Sequence, residues 1–340
     1  MSKTCQFAAA VLLTLAVGHA CRSSVLDPVA GSCAPANGEP VKLGFYAFFA
    51  PVSHSANPDP ASPGFANHMG YEADLLTALE AMEQHRLTFV RRPIADWPGI
   101  WLLPATPEFD IAGGGITILE SRTLDAAGRQ AIAFTSGHVA FRQSLLTRSE
   151  DAARLASYDS LTSDVRVGVL RGTTGEARLL QITGIANGDG VLARGTRFET
   201  PAGTMVADGT ARYTITAASS SPALEGRTHI FPPSTAMPQV IYLGDEELLA
   251  ALRDGSIDAV ARGEIGNGEE ARASGFVVAA VDSLAEYGGF SLDADNVEML
   301  ACIDEKLDWL TDNRRLGYAE WRADPGVFLA RAALWNGDDG

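Results

Sequence analysis

Apolar positions recur along this chain with two spacings. Between residues 70 and 82, Leu75, Leu76, Leu79 and Met82 fall on one face of a helix. Short apolar runs flank that stretch at 41–45, 87–91 and 109–112 and read as strands, and residues 97–103 read as a short helical segment ended near Pro104. Strand, helix, strand, helix, strand is the order that builds a mostly parallel sheet with helices on its faces. A second alternating unit begins near residue 141. Runs 132–135 and 139–146 are extended, 165–170 is a buried strand, 177–182 and 245–252 are helical, and 257–261 and 276–281 are extended again. The C-terminus is helical: 294–310 carries Val297, Leu300, Ile303, Leu307 and Leu310 on one stripe, and a second helix over 315–335 is interrupted by Pro325. Two stretches break the rhythm. Residues 50–68 hold four prolines and read as irregular loop, and residues 188–238 form a long Gly/Thr/Ser/Pro-rich insert in which 213–217 is the strand candidate.

The N-terminus does not belong to this pattern. Lys3, an apolar run at 7–17 and the small residues Gly18 and Ala20 read as a secretory signal over residues 1–20. Residues 21–39 are rich in Ser, Pro, Gly and Ala and read as a tether. Of the four cysteines, Cys5 leaves with the signal, and Cys21 stands at the first mature position, where a bacterial lipoprotein carries its lipid. Gly18 occupies the place where a leucine is usual, so ordinary cleavage that leaves Cys21 a free thiol remains the alternative. With Cys21 acylated, Cys33 and Cys302 form a pair in an oxidising compartment, expected as a disulfide from the N-terminal arm to the C-terminal helices. The formal charge of −16 argues against a nucleic-acid partner, because phosphate neutralisation needs basic clusters that the chain lacks. It does not exclude an anionic ligand, since a local arginine binds an anion within an acidic protein.

The candidate chemistry lies in residues 109–122, Phe-Asp-Ile-Ala-Gly-Gly-Gly-Ile-Thr-Ile-Leu-Glu-Ser-Arg. Gly113, Gly114 and Gly115 let backbone approach a ligand with N–H groups free to donate. Thr117 adds a hydroxyl, and Arg122 a planar fork that matches a carboxylate. A glycine-rich turn followed by a surface arginine is the competing reading of the same string.

Five landmarks in order resemble the type 2 periplasmic solute-binding proteins, specifically the amino-acid-binding group, bacterial extracellular solute-binding protein family 3. They are Gly70-Tyr71-Glu72-Ala73-Asp74-Leu75-Leu76, the segment Asp110 to Arg122, Ile132-Ala133-Phe134-Thr135, the run Val167 to Glu176 with its Gly172-Thr173-Thr174-Gly175-Glu176, and Ile257-Asp258-Ala259-Val260. The likeness covers nearly all of residues 40–335. It implies an α/β fold of two lobes, each a mostly parallel sheet flanked by helices, joined by two crossover strands. Lobe 1 would comprise 40–140 and 284–337, and lobe 2 would comprise 141–283 with the insert 188–238. It implies further that Arg122 pairs with a ligand carboxylate and that Thr117 and the Gly115 amide add donors. Thr173 and Thr174 would bind the same carboxylate from a helix N-terminus, and an aromatic among Tyr46, Phe48, Phe49 and Trp97 would line the floor. Core packing competes for each aromatic.

One departure bears on the ligand. The aspartate that commonly holds the ligand's ammonium falls near Gly263, between Arg262 and Glu264. Either Glu264 takes that role or the ligand has no ammonium, and Arg262 is placed to hold a second carboxylate. The expected function is a periplasmic, monomeric binding protein that delivers a small carboxylate-bearing solute to the permease of an ABC transporter. It would need no cofactor or metal and would touch the membrane only through a lipid anchor. The alternatives are a cyclohexadienyl dehydratase-like lyase, with Glu264, Glu176 or His138 as its acid or base, and a ligand sensor without a permease.

Overall fold

The first sheet forms where the apolar runs place it. In the computed structural model, which describes residues 33–35, 38–83 and 86–335, its central strand is Val41–Tyr46. The signal segment, Cys21 and most of the tether lie outside the described residues. Phe89–Ile94 and Ile111–Gly113 pair parallel to that strand on its two sides, Ser291–Asp293 pairs antiparallel to Ile111–Gly113, and Ile132–Phe134 pairs antiparallel to Ser291–Asp293 at the edge. Helix α1 (Tyr71–Met82) covers this sheet, and its Leu75, Leu76 and Leu79 enter the core beside Leu43 and Phe45. The proline-rich stretch is more ordered than its composition predicts. Phe48–Phe49, Ser53–Ser55 and His68–Met69 form a small antiparallel sheet of three strands.

The second sheet has eight strands. Arg166–Val169 lies between Gln239–Tyr242 and Ala259–Gly263, parallel to both. Two long strands, Val139–Thr147 and Val277–Gly288, pair antiparallel with register shifts near Ala280 and Ala285. Their far ends return to the first sheet's side, where Thr117 bridges to Gly288. Three helices attach to this sheet: α2 (Thr174–Ile182), α3 (Asp245–Asp254) and α4 (Glu264–Ser274).

The insert builds sheet. Arg197–Thr200, Gly203–Val206 and His229–Phe231 extend the second sheet antiparallel by three strands, and Phe198 and Ile230 are fully buried in its core with Val167 and Val240. Residues 213–217 form isolated bridges only, Val191 to Thr214 and Ile215 to Ser220, because the chain turns back there. The predicted C-terminal helix over 315–335 is two helices. After α5 (Val297–Leu310) come α6 (Tyr318–Ala323) and α7 (Val327–Trp335), separated at Asp324, whose extended backbone is what a following proline demands. Cys33 and Cys302 form the expected disulfide, which ties the N-terminal arm to α5. No helix among the described residues is long and apolar enough to cross a membrane.

Candidate functional site

The glycine run is a packed cradle of backbone amides, and the carboxyl group in it is the protein's own. Gly70, at φ 103°, precedes α1 where any Cβ would lie 2.4 Å from the Pro51 oxygen. That turn sets Glu72 under the glycines. Its two carboxylate oxygens accept the amides of Gly114 at 2.7 Å and Gly115 at 2.8 Å. Gly115, at φ 66°, leaves no room for a side chain, because a Cβ would stand 2.5 Å from the Phe49 ring. Burial pushes the Glu72 carboxyl up to about 8, against the pull of the two amides. His138 Nε2 lies 3.6 Å away, and burial pushes that imidazole down to about 3. The Gly115 amide is therefore engaged inside lobe 1, not free for a ligand as the sequence suggested.

Arg122 is likewise engaged. It ends a 3₁₀ turn (Glu120–Arg122) and is fully buried, with its guanidinium 4.3 Å from the Trp101 ring centre and 5.7 Å from that of Trp97. Its Nε and Nη2 both donate to the Ala217 carbonyl, at 3.1 and 2.9 Å. Nη1 donates to the Thr117 carbonyl at 3.2 Å, and Nη2 also to that of Gly172 at 3.3 Å. Burial lowers its pKa to about 9, opposed by the Glu286 charge, so it stays charged at neutral pH. Ala217 belongs to the insert, and its oxygen fills the fork that the sequence assigned to a ligand carboxylate.

The threonines meet a second internal carboxylate. Thr117 Oγ1 donates to Glu286 Oε2 at 3.1 Å and lies 3.3 Å from Thr174 Oγ1. Gln143 Nε2 donates to both Thr174 Oγ1 (2.8 Å) and Glu286 (3.0 Å), and since a carboxylate only accepts, this fixes the amide's orientation. Thr173 caps α2 by accepting from the Glu176 amide at 3.1 Å. Glu176 is buried against Arg227 of the insert, at 2.5 Å, and also accepts from Tyr242.

Between these groups lies a cavity of about 60 Å³ walled from both lobes. Tyr46, Phe49, Trp97 and Thr117 come from the first, and Phe141, Gln143, Thr174, Asp245 and Arg262 from the second and its crossing strand. Tyr46 donates its hydroxyl to Asp245, the first residue of α3. Burial raises the Asp245 pKa, while Tyr46 and Arg262 lower it. Arg262 ends the strand before α4. Its Nε donates to Asn267 at 3.2 Å, its Nη1 stands 3.9 Å from Asp245, and its Nη2 is buried with no hydrogen-bond partner. Outside Tyr46 and Trp97 the cleft opens into a groove of about 620 Å³.

No protein-family model and no curated protein matches the chain. Solved structures do. The amino-acid ABC transporter substrate-binding protein AbpA from Streptococcus pneumoniae, bound to L-arginine, is 14% identical and superposes over 86% of this chain and 96% of its own with a TM-score of 0.56. The ancestral amino-acid-binding protein AncCDT-1, described as a precursor of cyclohexadienyl dehydratase, is 18% identical over 87% and 95%, at 0.55. Holo ArgBP from T. maritima is 17% identical over 80% and 90%, at 0.52. The chain has the two-lobed solute-binding fold.

Within the solute-binding fold, the expected site residues divide in two. Phe49, Trp97, Gly115, Thr117, Thr173 and Thr174 reach the wall of the inner cavity, and Arg122 and Glu264 do not. Arg122 sits behind the wall on the insert, and Glu264 opens α4 beyond Gly263. Gln143, Asp245 and Glu286 were missed. Each is an ordinary polar residue on a strand or helix end, and only the pairing of distant segments gives it a role. Arg262 had a local signal, a charged residue at a strand end beside Gly263.

Proposed function

We propose that the chain is a periplasmic solute-binding protein that closes its two lobes on a small carboxylate-bearing solute and presents it to the permease of an ABC transporter. Its lobes divide near residues 140 and 284, and it works as a monomer with a lipid on Cys21 as its membrane anchor. The observation that carries this reading is the inner cavity, walled by both lobes and crossed by direct bonds between them. A cavity with that arrangement changes when the lobes hinge, which couples binding to closure. Structures of the same fold bound to L-arginine support it.

The lyase reading draws on the likeness to a dehydratase precursor. A general acid or base must reach the substrate. Glu176 is paired with Arg227, His138 lies under the glycines against Glu72, and Glu264 is off the wall. Asp245, the carboxylate on that wall, is bonded to Tyr46. The geometry thus favours binding over turnover.

Thermal unfolding of the purified protein against short carboxylates, amino acids and dicarboxylates tests the reading. A ligand at a hundred times its Kd stabilises by about 2.7 kcal/mol, which raises Tm by several degrees. A panel that shifts nothing defeats the reading, and product formed from prephenate would replace it with the lyase.

A further inference from the structure

We infer that the solute's carboxylate is read by Arg262 rather than Arg122, and that the solute is a compact monocarboxylate with a small apolar body and no ammonium group. This rests on the reading of the inner cavity as the solute site.

The site suggested by the sequence is closed to a second anion. The Ala217 oxygen lies in the fork of Arg122, and Ala217 is buried in a turn locked by its own bonds, Thr216 N to the Ser219 carbonyl at 2.8 Å and Ser219 N to Thr216 Oγ1 at 3.0 Å. Thr117 and Gln143 already donate to Glu286, so a ligand carboxylate beside them would meet like charge at short range.

Arg262 differs on each point. It lines the cavity, its Asn267 contact fixes the guanidinium plane, and Nη2 has no partner. An unpaired buried donor costs about 1–3 kcal/mol, a cost that a ligand oxygen removes. The surroundings favour negative charge there. Thr174 and Gly175 of α2, Asp245 of α3 and Gly263 before α4 bring three helix N-termini to the same wall.

The rest of the ligand follows from what else the wall offers. A ligand ammonium needs a carboxylate. Asp245 is the acid among the lining residues, and it is bonded to Tyr46 and faces Arg262. Phe49, Phe141, Trp97 and Leu170 supply apolar surface. A volume of about 60 Å³ holds roughly four to six ligand heavy atoms at about 10–15 Å³ for each water-sized occupant. Propionate has that size and chemistry. Alanine adds an ammonium, and propionamide removes the charge.

Calorimetric titration of the purified protein in a carboxylate-free buffer separates the cases. Propionate should bind, alanine at least tenfold more weakly, and propionamide without measurable heat. Arg262→Gln should weaken propionate at least tenfold, with Arg262→Lys between it and the parent. Alanine or arginine binding as tightly as propionate overturns the inference while leaving solute binding intact. Undiminished propionate binding by a folded Arg262→Gln protein also overturns it. No heat from propionate overturns the inference, and no shift of Tm by any member of the wider panel overturns the solute-binding reading as well.

Discussion

Glu72 holds two backbone amides of one glycine turn with two oxygens, deep in lobe 1. Replacing it with Gln puts an NH₂ group where an oxygen accepted, so at least one buried amide loses its partner. Glu72→Gln should therefore destabilise the protein by about 1–3 kcal/mol, read from urea unfolding near pH 5. The cost should vary with pH, and its sign follows from proton occupancy. The folded carboxyl keeps its proton up to about 8, whereas an exposed glutamate loses it near 4.5. Between those values the folded state binds more protons than the unfolded chain, so parental stability falls as pH rises through the window. The Gln variant has no such slope, and the gap between the two proteins should narrow from pH 5 to pH 8. His138 acts oppositely. Its pKa is depressed to about 3 from 6.5, so its contribution is lost as pH falls through that interval. A gap that widens toward pH 8 would mean that Glu72 is ionised in the fold.

At the scale of elements, the insert decides what Arg122 is for. Four donor contacts tie its guanidinium to three backbone carbonyls, one on the insert and one at Gly172 in the second lobe. Arg122→Met keeps much of the stacking volume and removes every donor. We expect a loss of at least about 2 kcal/mol in stability, because buried carbonyls lose a charged partner. Affinity for propionate should weaken only as far as the loss of the Gly172 and Ala217 contacts opens the lobes, an opening that the radius of gyration of the ligand-free variant reads independently. A large loss of affinity without loss of stability would return Arg122 to the ligand. The sequence made much of this architecture legible and little of its wiring. Helix α1 and the strands at 41, 166 and 259 follow from periodicity, and the Cys33–Cys302 pairing from counting cysteines once Cys21 is assigned to a lipid. Helix α4 was not legible, because Gly266-Asn267-Gly268 is a poor helix former in isolation. It forms where Gly266 packs close to Phe49 and Asn267 bonds Ser144. The glycines, threonines and arginine are legible as a group of polar and flexible residues, but their partners are not. Glu72 lies 42 residues before Gly114, and Ala217 lies 95 after Arg122, distances over which local pattern says nothing.

Across the whole molecule, the lobes are joined by bonds that require no solute. Tyr46 donates to Asp245, Trp97 Nε1 to the Gly172 carbonyl at 2.9 Å, and Thr117 meets Thr174. Closure is then an equilibrium that these bonds bias before any ligand arrives. The pair Tyr46→Phe and Trp97→Phe removes two of them while keeping both rings on the wall. At about 0.5–1.5 kcal/mol each, the double variant should lose about 1–3 kcal/mol of closure, roughly a 5- to 150-fold shift toward the open form. Small-angle scattering should show a larger radius of gyration for the ligand-free double variant than for the parent, and saturating propionate should bring the two together. Apparent affinity should weaken by the reciprocal of the closed fraction, because binding must then supply the closure that the direct bonds supplied. An unchanged radius and unchanged affinity would show that the remaining contacts, Arg122 with Gly172 and Ala217 and Thr117 with Thr174, hold the lobes. In that case adding Arg122→Met to the double variant should open the molecule in the same scattering measurement.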